Sequence, residues 1–133
     1  MDAFQLHTAH RFRARSDAIA EARRATLAYA REHSVPADRL DAIALAVSEA
    51  ATNVVMHAYR DRNQPGTFTL GLDLDDGSLM VDVRDEGIGL SPRDDSPGLG
   101  FGLPIIANVT DACALVPTDD GGTRVSMRFD LAG

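Results

Sequence analysis

The sequence predicts an α+β fold, a two-layer sandwich of helices on a mixed, mostly antiparallel sheet. Two observations lead to this prediction. Hydrophobic residues recur every three or four positions up to about residue 59, and at every second position from residue 68 onward. Clusters of Asp, Gly and Pro separate the alternating segments, as is typical of strands joined by short turns.

The first segments of the chain read as one strand and two helices. Residues 6–14 alternate weakly and predict an edge strand. Ser16 and Asp17 supply an N-cap and an early acid for a helix that runs to about His33. A second helix is predicted from Pro36 to about Tyr59. Its apolar stripe consists of Leu40, Ile43, Val47, Ala51, Val54 and Ala58.

The later segments read as a hairpin, a loop, a short helix and two strands. Alternating residues 68–74 and 79–83 flank the turn Asp75-Asp-Gly-Ser78. A loop rich in Gly and Pro follows Asp85, and a helix begins at about Leu103 with Pro104 in its first turn. Strands are then predicted over residues 112–116 and 123–131, and the single cysteine, Cys113, is expected to be a small core residue.

The size of the chain predicts one domain. It has 133 residues, of which 44% are hydrophobic, enough for a core of its own, so we expect a single domain over residues 1–133. No apolar run approaches the roughly 20 residues of a membrane span, and the N-terminal residues lack the apolar stretch of a signal peptide. We therefore expect a cytoplasmic protein that does not bind a membrane.

The charged residues exclude several kinds of site. The formal net charge of -7 argues against nucleic acid as a direct partner, although an acidic surface also serves solubility. The sequence contains no lysine, so all 13 Lys and Arg residues are arginine. A P-loop and a protein kinase of the eukaryotic type each require a lysine, so this sequence contains neither.

Three polar residues, Glu49, Asn53 and His57, lie four positions apart on the second predicted helix. They follow the side away from the centre of the apolar stripe. A solvated face is one interpretation, although the flanking Ala, Thr, Val and Met are unusual for such a face. A binding site is the other, because a carboxylate and an amide oxygen are hard donors suited to Mg²⁺ or to a water molecule.

Asp85 and Thr123 are polar residues at positions where two predicted strands otherwise carry apolar side chains. Asp85 shares its parity with Val81 and Val83, so its side chain is expected on the buried face of the sheet. It either caps the following turn or accepts a hydrogen bond from a ligand, for example from an adenine amine. Thr123 turns inward at the start of the last strand and could complete the same polar site.

The segment Gly98-Leu99-Gly100-Phe101-Gly102 has three alternate glycines directly before a predicted helix. Glycines leave backbone amides accessible, and a helix N-terminus favours phosphate. The same pattern also occurs in flexible loops, so this segment is a weak signal when it is considered alone.

Taken together and in this order, these motifs resemble the N box, G1 box, G2 box and final Gly-Thr pair of the GHKL ATPase superfamily. The resemblance covers about residues 8–131 and is closest to the anti-sigma-factor serine kinases, because the N box ends in His-Ala-Tyr. The motifs are Glu49-x-x-x-Asn53-x-x-x-His57-Ala-Tyr59, Asp85-x-Gly87-x-Gly89, Gly98-x-Gly100-x-Gly102 and Gly122-Thr123.

The resemblance implies the Bergerat ATP-binding fold, with ATP and Mg²⁺ as ligands. It implies that Glu49 is the general base, that Asn53 binds Mg²⁺, and that Asp85 accepts from the adenine amine with support from Thr123. The other residues that it places around the nucleotide are His57, Gly87, Gly89, Gly98, Leu99, Gly100 and Gly102.

The function implied by the resemblance is that of an anti-sigma factor with ATP-dependent serine/threonine kinase activity. Such a protein phosphorylates an anti-sigma-factor antagonist and sequesters a sigma factor. The alternative is a nucleotide-dependent regulatory binding module without phosphoryl transfer. The oligomeric state is open, and a homodimer is among the alternatives.

Overall fold

The computed structural model describes residues 8–58, 66–86, 103–119 and 121–131. These residues form one five-stranded sheet and a layer of helices. The strands are β1 (Thr8–Arg13), β2 (Thr67–Asp75), β3 (Ser78–Asp85), β4 (Ala112–Pro117) and β5 (Thr123–Asp130), and the α-helices are α1 (Ser16–Glu32), α2 (Leu40–Asn53) and α3 (Leu103–Val109). A 3₁₀ turn, Ala37–Arg39, precedes α2, and a π-helical turn, Val54–Ala58, follows it.

The sheet has the strand order β1-β2-β3-β5-β4. Each neighbouring pair of strands is antiparallel, so the described part of the sheet contains no parallel pair. The predicted α+β class is confirmed, and the sheet is more uniform than the mixed sheet that we expected.

The turn between β2 and β3 explains why these strands form a tight hairpin. Asp75 pairs with Ser78, which leaves two residues in the turn. Both have positive φ, 52° for Asp76 and 81° for Gly77. Turns of this kind match the twist of antiparallel strands and favour Asp-Gly, which is the dipeptide present here.

One face of the sheet packs on the helices and forms the core. Alternate residues of β2, β3 and β5 point to this face and are at most 2% exposed. They are Phe68, Leu70, Leu72, Leu79, Val81, Val83, Val125, Met127 and Phe129. The buried surfaces of α1 and α2 are rich in alanine, whose small side chain allows the two helices to approach each other closely. α1 also contacts β1 and β2, whereas α2 contacts β3 and α3.

The expected N-cap of α1 is wrong by one residue. Arg15 occupies the cap position with extended dihedral angles, φ -118° and ψ 160°, and makes no side-chain cap hydrogen bond. Ser16 is already helical. The first turn begins with the amide of Ala18, which donates to the carbonyl of Arg15 at 2.9 Å.

The expected burial of Cys113 is also wrong, because its side chain is exposed. β4 lies at the edge of the sheet and pairs only with β5 among the described strands. A strand with one neighbour has less of its surface covered than a central strand. An apolar segment of sequence therefore does not ensure a buried position.

No helix in the described ranges is long and apolar enough to span a membrane.

Candidate functional site

Asp85 is a buried carboxylate at the C-terminal end of β3. Its relative exposure is 1%, and it follows Val81 and Val83 on the sheet face that the helices cover. Taking a charged carboxylate out of water is costly unless donors surround it. The strand end therefore carries a group that is suited to binding a hydrogen-bond donor.

The neighbours of Asp85 across the sheet differ on its two sides. Phe68 on β2 is its register partner on one side, and Thr123 on β5 is its partner on the other. Phe68 is 0% exposed and Thr123 is 3% exposed. The carboxylate thus lies between a fully buried aromatic ring and a buried hydroxyl group, which combines an apolar wall with hydrogen-bonding capacity.

Gly122 allows the connection into β5 to pass close to β3. A Cβ on Gly122 would overlap the carbonyl oxygen of Asp85, and it would lie 2.9 Å from the carbonyl carbon and 3.1 Å from the Cα of Glu86. Only a residue without a side chain fits this approach. The preceding turn is closed by the amide of Thr118, which donates to the carbonyl of Gly122 at 3.0 Å.

The second part of the candidate site lies on α2, which packs against β3. Asn53, the last residue of α2, is 5% exposed, and Glu49 is half-buried one turn earlier. The interpretation of these residues as an ordinary solvated face is therefore wrong for Asn53. A buried amide and a half-buried carboxylate on the same side of a helix offer two oxygen donors.

The polar neighbours of Glu49 and Asn53 are engaged elsewhere. Arg23 on α1 donates from Nη1 to the Ser48 hydroxyl oxygen at 3.1 Å, which links the two helices. The Thr52 hydroxyl donates to the Ser48 carbonyl oxygen at 2.6 Å. These hydroxyl groups stabilise the helix layer and are not members of the candidate site.

The π-helical turn after Asn53 changes the expected row of three polar residues. In an α-helix Asn53 and His57 would share one face, because they are four residues apart. Val54–Ala58 instead forms a wider turn with hydrogen bonds between residues five apart, so the α-helical spacing does not hold from Asn53 to His57. The side chain of His57 lies outside the described part of the structure.

The two predicted glycine-rich segments, residues 87–89 and 98–102, lie outside the described residues. They comprise Gly87, Gly89, Gly98, Leu99, Gly100 and Gly102. The structure describes the elements before and after these segments: β3 ends at Asp85, and α3 begins at Leu103. The start of α3 agrees with the predicted helix.

Within the described ranges no three His, Cys, Asp or Glu side chains form a group that could hold a metal ion. Mg²⁺ in proteins is commonly held by one or two protein oxygens, waters and substrate phosphates. The donor types at Glu49 and Asn53 fit such an ion.

Sequence reasoning missed a polar cluster on the opposite face of the sheet, next to Asp85. The Glu86 carboxylate accepts a hydrogen bond from Arg11 Nη2 at 3.1 Å and another from the Thr67 hydroxyl at 3.0 Å. The cluster joins β1 and β2 to the residue that directly follows Asp85. Its members are far apart in sequence, and only the strand register brings them together.

Comparison with known protein families gives one match over most of the chain. The family described as the histidine kinase-like ATPase domain matches residues 12–129. This range includes every strand and helix of the described fold except the first residues of β1 and the last residue of β5.

Among curated proteins, the chain is similar to anti-sigma F factors. It is 28% identical to the anti-sigma F factor of Clostridium acetobutylicum, with 92% of each chain covered. It is 31% identical to that of Geobacillus thermodenitrificans, with 91% of this chain and 90% of the relative covered. The similarity therefore extends over nearly the full length of both relatives.

Solved structures share the fold. The RsbU and RsbW domains of a Mycobacterium tuberculosis protein match with a TM-score of 0.71 at 20% identity, covering 93% of this chain and 32% of that longer chain. A histidine kinase domain from Erythrobacter litoralis matches with a TM-score of 0.59 at 29% identity, covering 72% of this chain and 46% of the other. The SiaB-SiaC complex of Pseudomonas aeruginosa matches with a TM-score of 0.62 at 18% identity, covering 93% of this chain and 89% of the other.

Proposed function

Because this chain belongs to the histidine kinase-like ATPase domain family, we propose that it is an anti-sigma factor with serine/threonine kinase activity. In this proposal it binds ATP with Mg²⁺, phosphorylates an anti-sigma-factor antagonist and sequesters a sigma factor. The name of the curated relatives, anti-sigma F factor, supports the regulatory part of the proposal, since the relatives match along nearly their whole length.

The burial of Asp85 is the observation that carries the nucleotide-binding part. The amine of adenine is a donor, and a buried carboxylate is an acceptor that discriminates strongly for donors. Thr123, opposite Asp85 in the register, would support the carboxylate. We assign the base pocket to the end of β3 on these grounds.

Asn53 is the proposed protein ligand of Mg²⁺. Its amide oxygen is a neutral hard donor, and its burial at the end of α2 limits the number of positions that it adopts. When bound, Mg²⁺ would neutralise charge on the phosphates of ATP. The π-helical turn that follows Asn53 supports a site here, since such turns inside helices are frequent at functional positions.

Glu49 is the proposed general base. It lies one helical turn before Asn53 and is only half-buried, so a hydroxyl group from a partner protein can reach it. In the proposed reaction Glu49 takes the proton of a serine or threonine hydroxyl while the oxygen attacks the γ-phosphorus of ATP. The bond between that phosphorus and the bridging oxygen breaks, and ADP leaves.

A binding module without phosphoryl transfer is the second candidate function. It would use the same buried Asp85 and Asn53 to bind nucleotide, and nucleotide binding would control the capture of a partner protein. The two candidates differ in one respect only. The kinase requires Glu49 to accept a proton, whereas the binding module does not.

The deciding experiment measures transfer of labelled phosphate from Mg-ATP to candidate antagonists encoded by the same genome. Glu49→Gln keeps the size of the side chain but is far less basic, so the transfer rate should fall by about 10²- to 10⁴-fold. ATP binding should survive. The matched control is Glu21→Gln, which removes an exposed carboxylate from α1 and should leave the rate unchanged.

The kinase proposal is abandoned if the wild-type protein binds an antagonist and Mg-ATP but transfers no phosphate. Retained capture of the partner in that case would favour the binding module. Capture of a sigma factor is tested separately, by co-purification with and without nucleotide. Sedimentation of the unbound protein tests whether two copies associate.

A further inference from the structure

β4 is an edge strand without a charged side chain. Its six residues are Ala, Cys, Ala, Leu, Val and Pro, and the first three are exposed. Among the described strands β4 pairs only with β5, so one side of its backbone lacks a strand neighbour in the described part of the chain. Edges of this kind are templates for pairing with another strand, and natural proteins protect them with charged side chains, proline, bulges or a covering segment. β4 has a proline, Pro117, at its last position and no charged residue.

The opposite edge of the same sheet is protected with charged side chains. β1 carries Arg11 and Arg13, both exposed, and Arg11 is held by the Glu86 carboxylate at 3.1 Å. The two edges therefore differ in charge although they belong to one sheet. The absence of charged side chains along β4 needs an explanation of its own.

A second copy of this chain does not fit the β4 edge well. Exposed acids lie near both ends of β4. Asp111 directly precedes the strand and accepts a hydrogen bond at Oδ2 from the Asp130 amide of β5 at 2.8 Å, which leaves Oδ1 for a further partner, and Asp119 lies two residues after the strand. If two β4 strands paired in antiparallel fashion about their centres, the acid at each end would approach the acid at the other end of the partner strand. Like charges across a strand pair are destabilising, and the net charge of -7 adds to the repulsion.

The same acids favour a partner of opposite charge. A segment with an uncharged, β-branched centre can continue the hydrogen-bonded ladder beside β4, and basic residues at its two ends would meet Asp111 and Asp119. We propose that β4 is a docking edge at which an extended, uncharged segment of a partner protein, flanked by Arg or Lys, adds as a sixth strand. The last residue of β4, Pro117, pairs with Thr123, which is assigned to the nucleotide pocket, but docking at this edge does not require phosphoryl transfer.

The test uses the whole protein and a synthetic peptide with the centre Val-Thr-Val-Ile-Thr and two arginines at each end. A second peptide has the same centre between glutamates, and a third has prolines at two central positions. We expect binding of the first peptide and much weaker binding of the other two, because the second reverses the flanking charges and the third lacks backbone donors.

The location is read from amide hydrogen exchange. The first peptide should slow exchange within β4 and leave β1 unchanged. Asp119→Arg should weaken binding by about two- to fivefold, the value of an exposed charge pair, and should improve binding of the glutamate-flanked peptide. The matched control is Asp17→Arg, which makes the same charge change on α1, a helix that contacts β1 and β2 at the other side of the sheet.

Several results would overturn the proposal. Equal binding of the arginine- and glutamate-flanked peptides would remove the charge argument, as would an equal effect of Asp119→Arg and Asp17→Arg. Protection of β1 in place of β4 would move the site. Slow exchange, in the unbound protein at low concentration, of the β4 amides that point away from β5 would show that the chain covers this edge itself. Slow exchange that develops only at high concentration would show that a second copy covers it.

Discussion

The backbone at Gly122 lies so close to Asp85 that a Cβ on the glycine would overlap the Asp85 carbonyl oxygen. Gly122 directly precedes β5, the strand next to β3, and Thr123, the first residue of β5, is the register partner of Asp85. Gly122 follows Asp85 by 37 positions in the sequence (122 − 85 = 37). The position of the buried carboxylate therefore depends on a residue that is distant along the chain.

Gly122→Ala should displace the end of β3 and weaken ATP binding. The added methyl group meets backbone atoms, which are not free to move away, and overpacking of this kind typically costs about 1–3 kcal/mol of unfolding free energy. The measurement is urea unfolding together with calorimetric titration of ATP. We expect both the free energy of unfolding and the ATP affinity to fall.

Gly77→Ala is the matched control for this substitution. Gly77 has φ 81°, and a Cβ added to it would have no other atom within 4 Å, so alanine there is strained but does not collide. It lies in the hairpin turn at the opposite end of β3 from Asp85. It should lower stability by about 1 kcal/mol without a specific loss of ATP affinity. Equal losses of ATP affinity in the two variants would contradict the proposed role of the Gly122 contact.

Asp85→Asn should weaken ATP binding by about 1–3 kcal/mol, because an amide can present a donor where the adenine amine also donates. The control is Asp82→Asn on the same strand, where the carboxylate accepts from the Ser126 hydroxyl at 2.6 Å on the opposite face of the sheet. Calorimetry should show a loss for Asp85→Asn only. An unchanged ATP affinity in a folded Asp85→Asn variant would remove this residue from the base pocket.

Asn53→Ala should remove most of the Mg²⁺ dependence of ATP binding, because it deletes the proposed metal ligand. The measurement compares ATP affinity in Mg²⁺ with affinity in EDTA for each protein. Thr52→Ala is the control, since the Thr52 hydroxyl bonds to the backbone of its own helix at 2.6 Å. If Asn53→Ala retains the full difference between Mg²⁺ and EDTA, another group binds the ion.

Tyr29 should make the folded protein sensitive to alkali. Burial raises the pKa of Tyr29 above its ordinary value of 10.0, and the nearby Asp73 carboxylate raises it further. Between the unfolded and the folded pKa only the unfolded chain releases this proton, so stability should fall as the pH rises above about 10. Below that pH this contribution is constant.

Tyr29→Phe tests this prediction, since it has no proton to lose. Urea unfolding from pH 8 to pH 11 should show a steeper fall for the wild-type protein than for the variant. Asp73→Asn should reduce the slope, because it removes the second cause of the raised pKa. Parallel curves for the wild-type protein and Tyr29→Phe would mean that the phenol titrates alike in both states.

The sequence alone determined the kind and order of the elements. Alternation over residues 68–74 and 79–83 predicted β2 and β3, and Asp-Gly between them predicted the two-residue turn that the structure has. The inward direction of Asp85 also followed from its parity with Val83. These features depend on side chains within one strand or one turn, so local periodicity is sufficient to predict them.

Only the tertiary structure decided which surfaces are covered and which distant residues meet. Cys113 is exposed because β4 is placed at the edge of the sheet, and its apolar neighbours in sequence gave no sign of this position. Asn53 is buried because α2 packs on β3, although its spacing from Glu49 is equally typical of a solvated face. The contact of Gly122 with Asp85 follows from the pairing of β3 with β5. Periodicity describes how a segment presents its side chains, whereas burial and contact depend on the free energy of packing that segment against others distant in sequence.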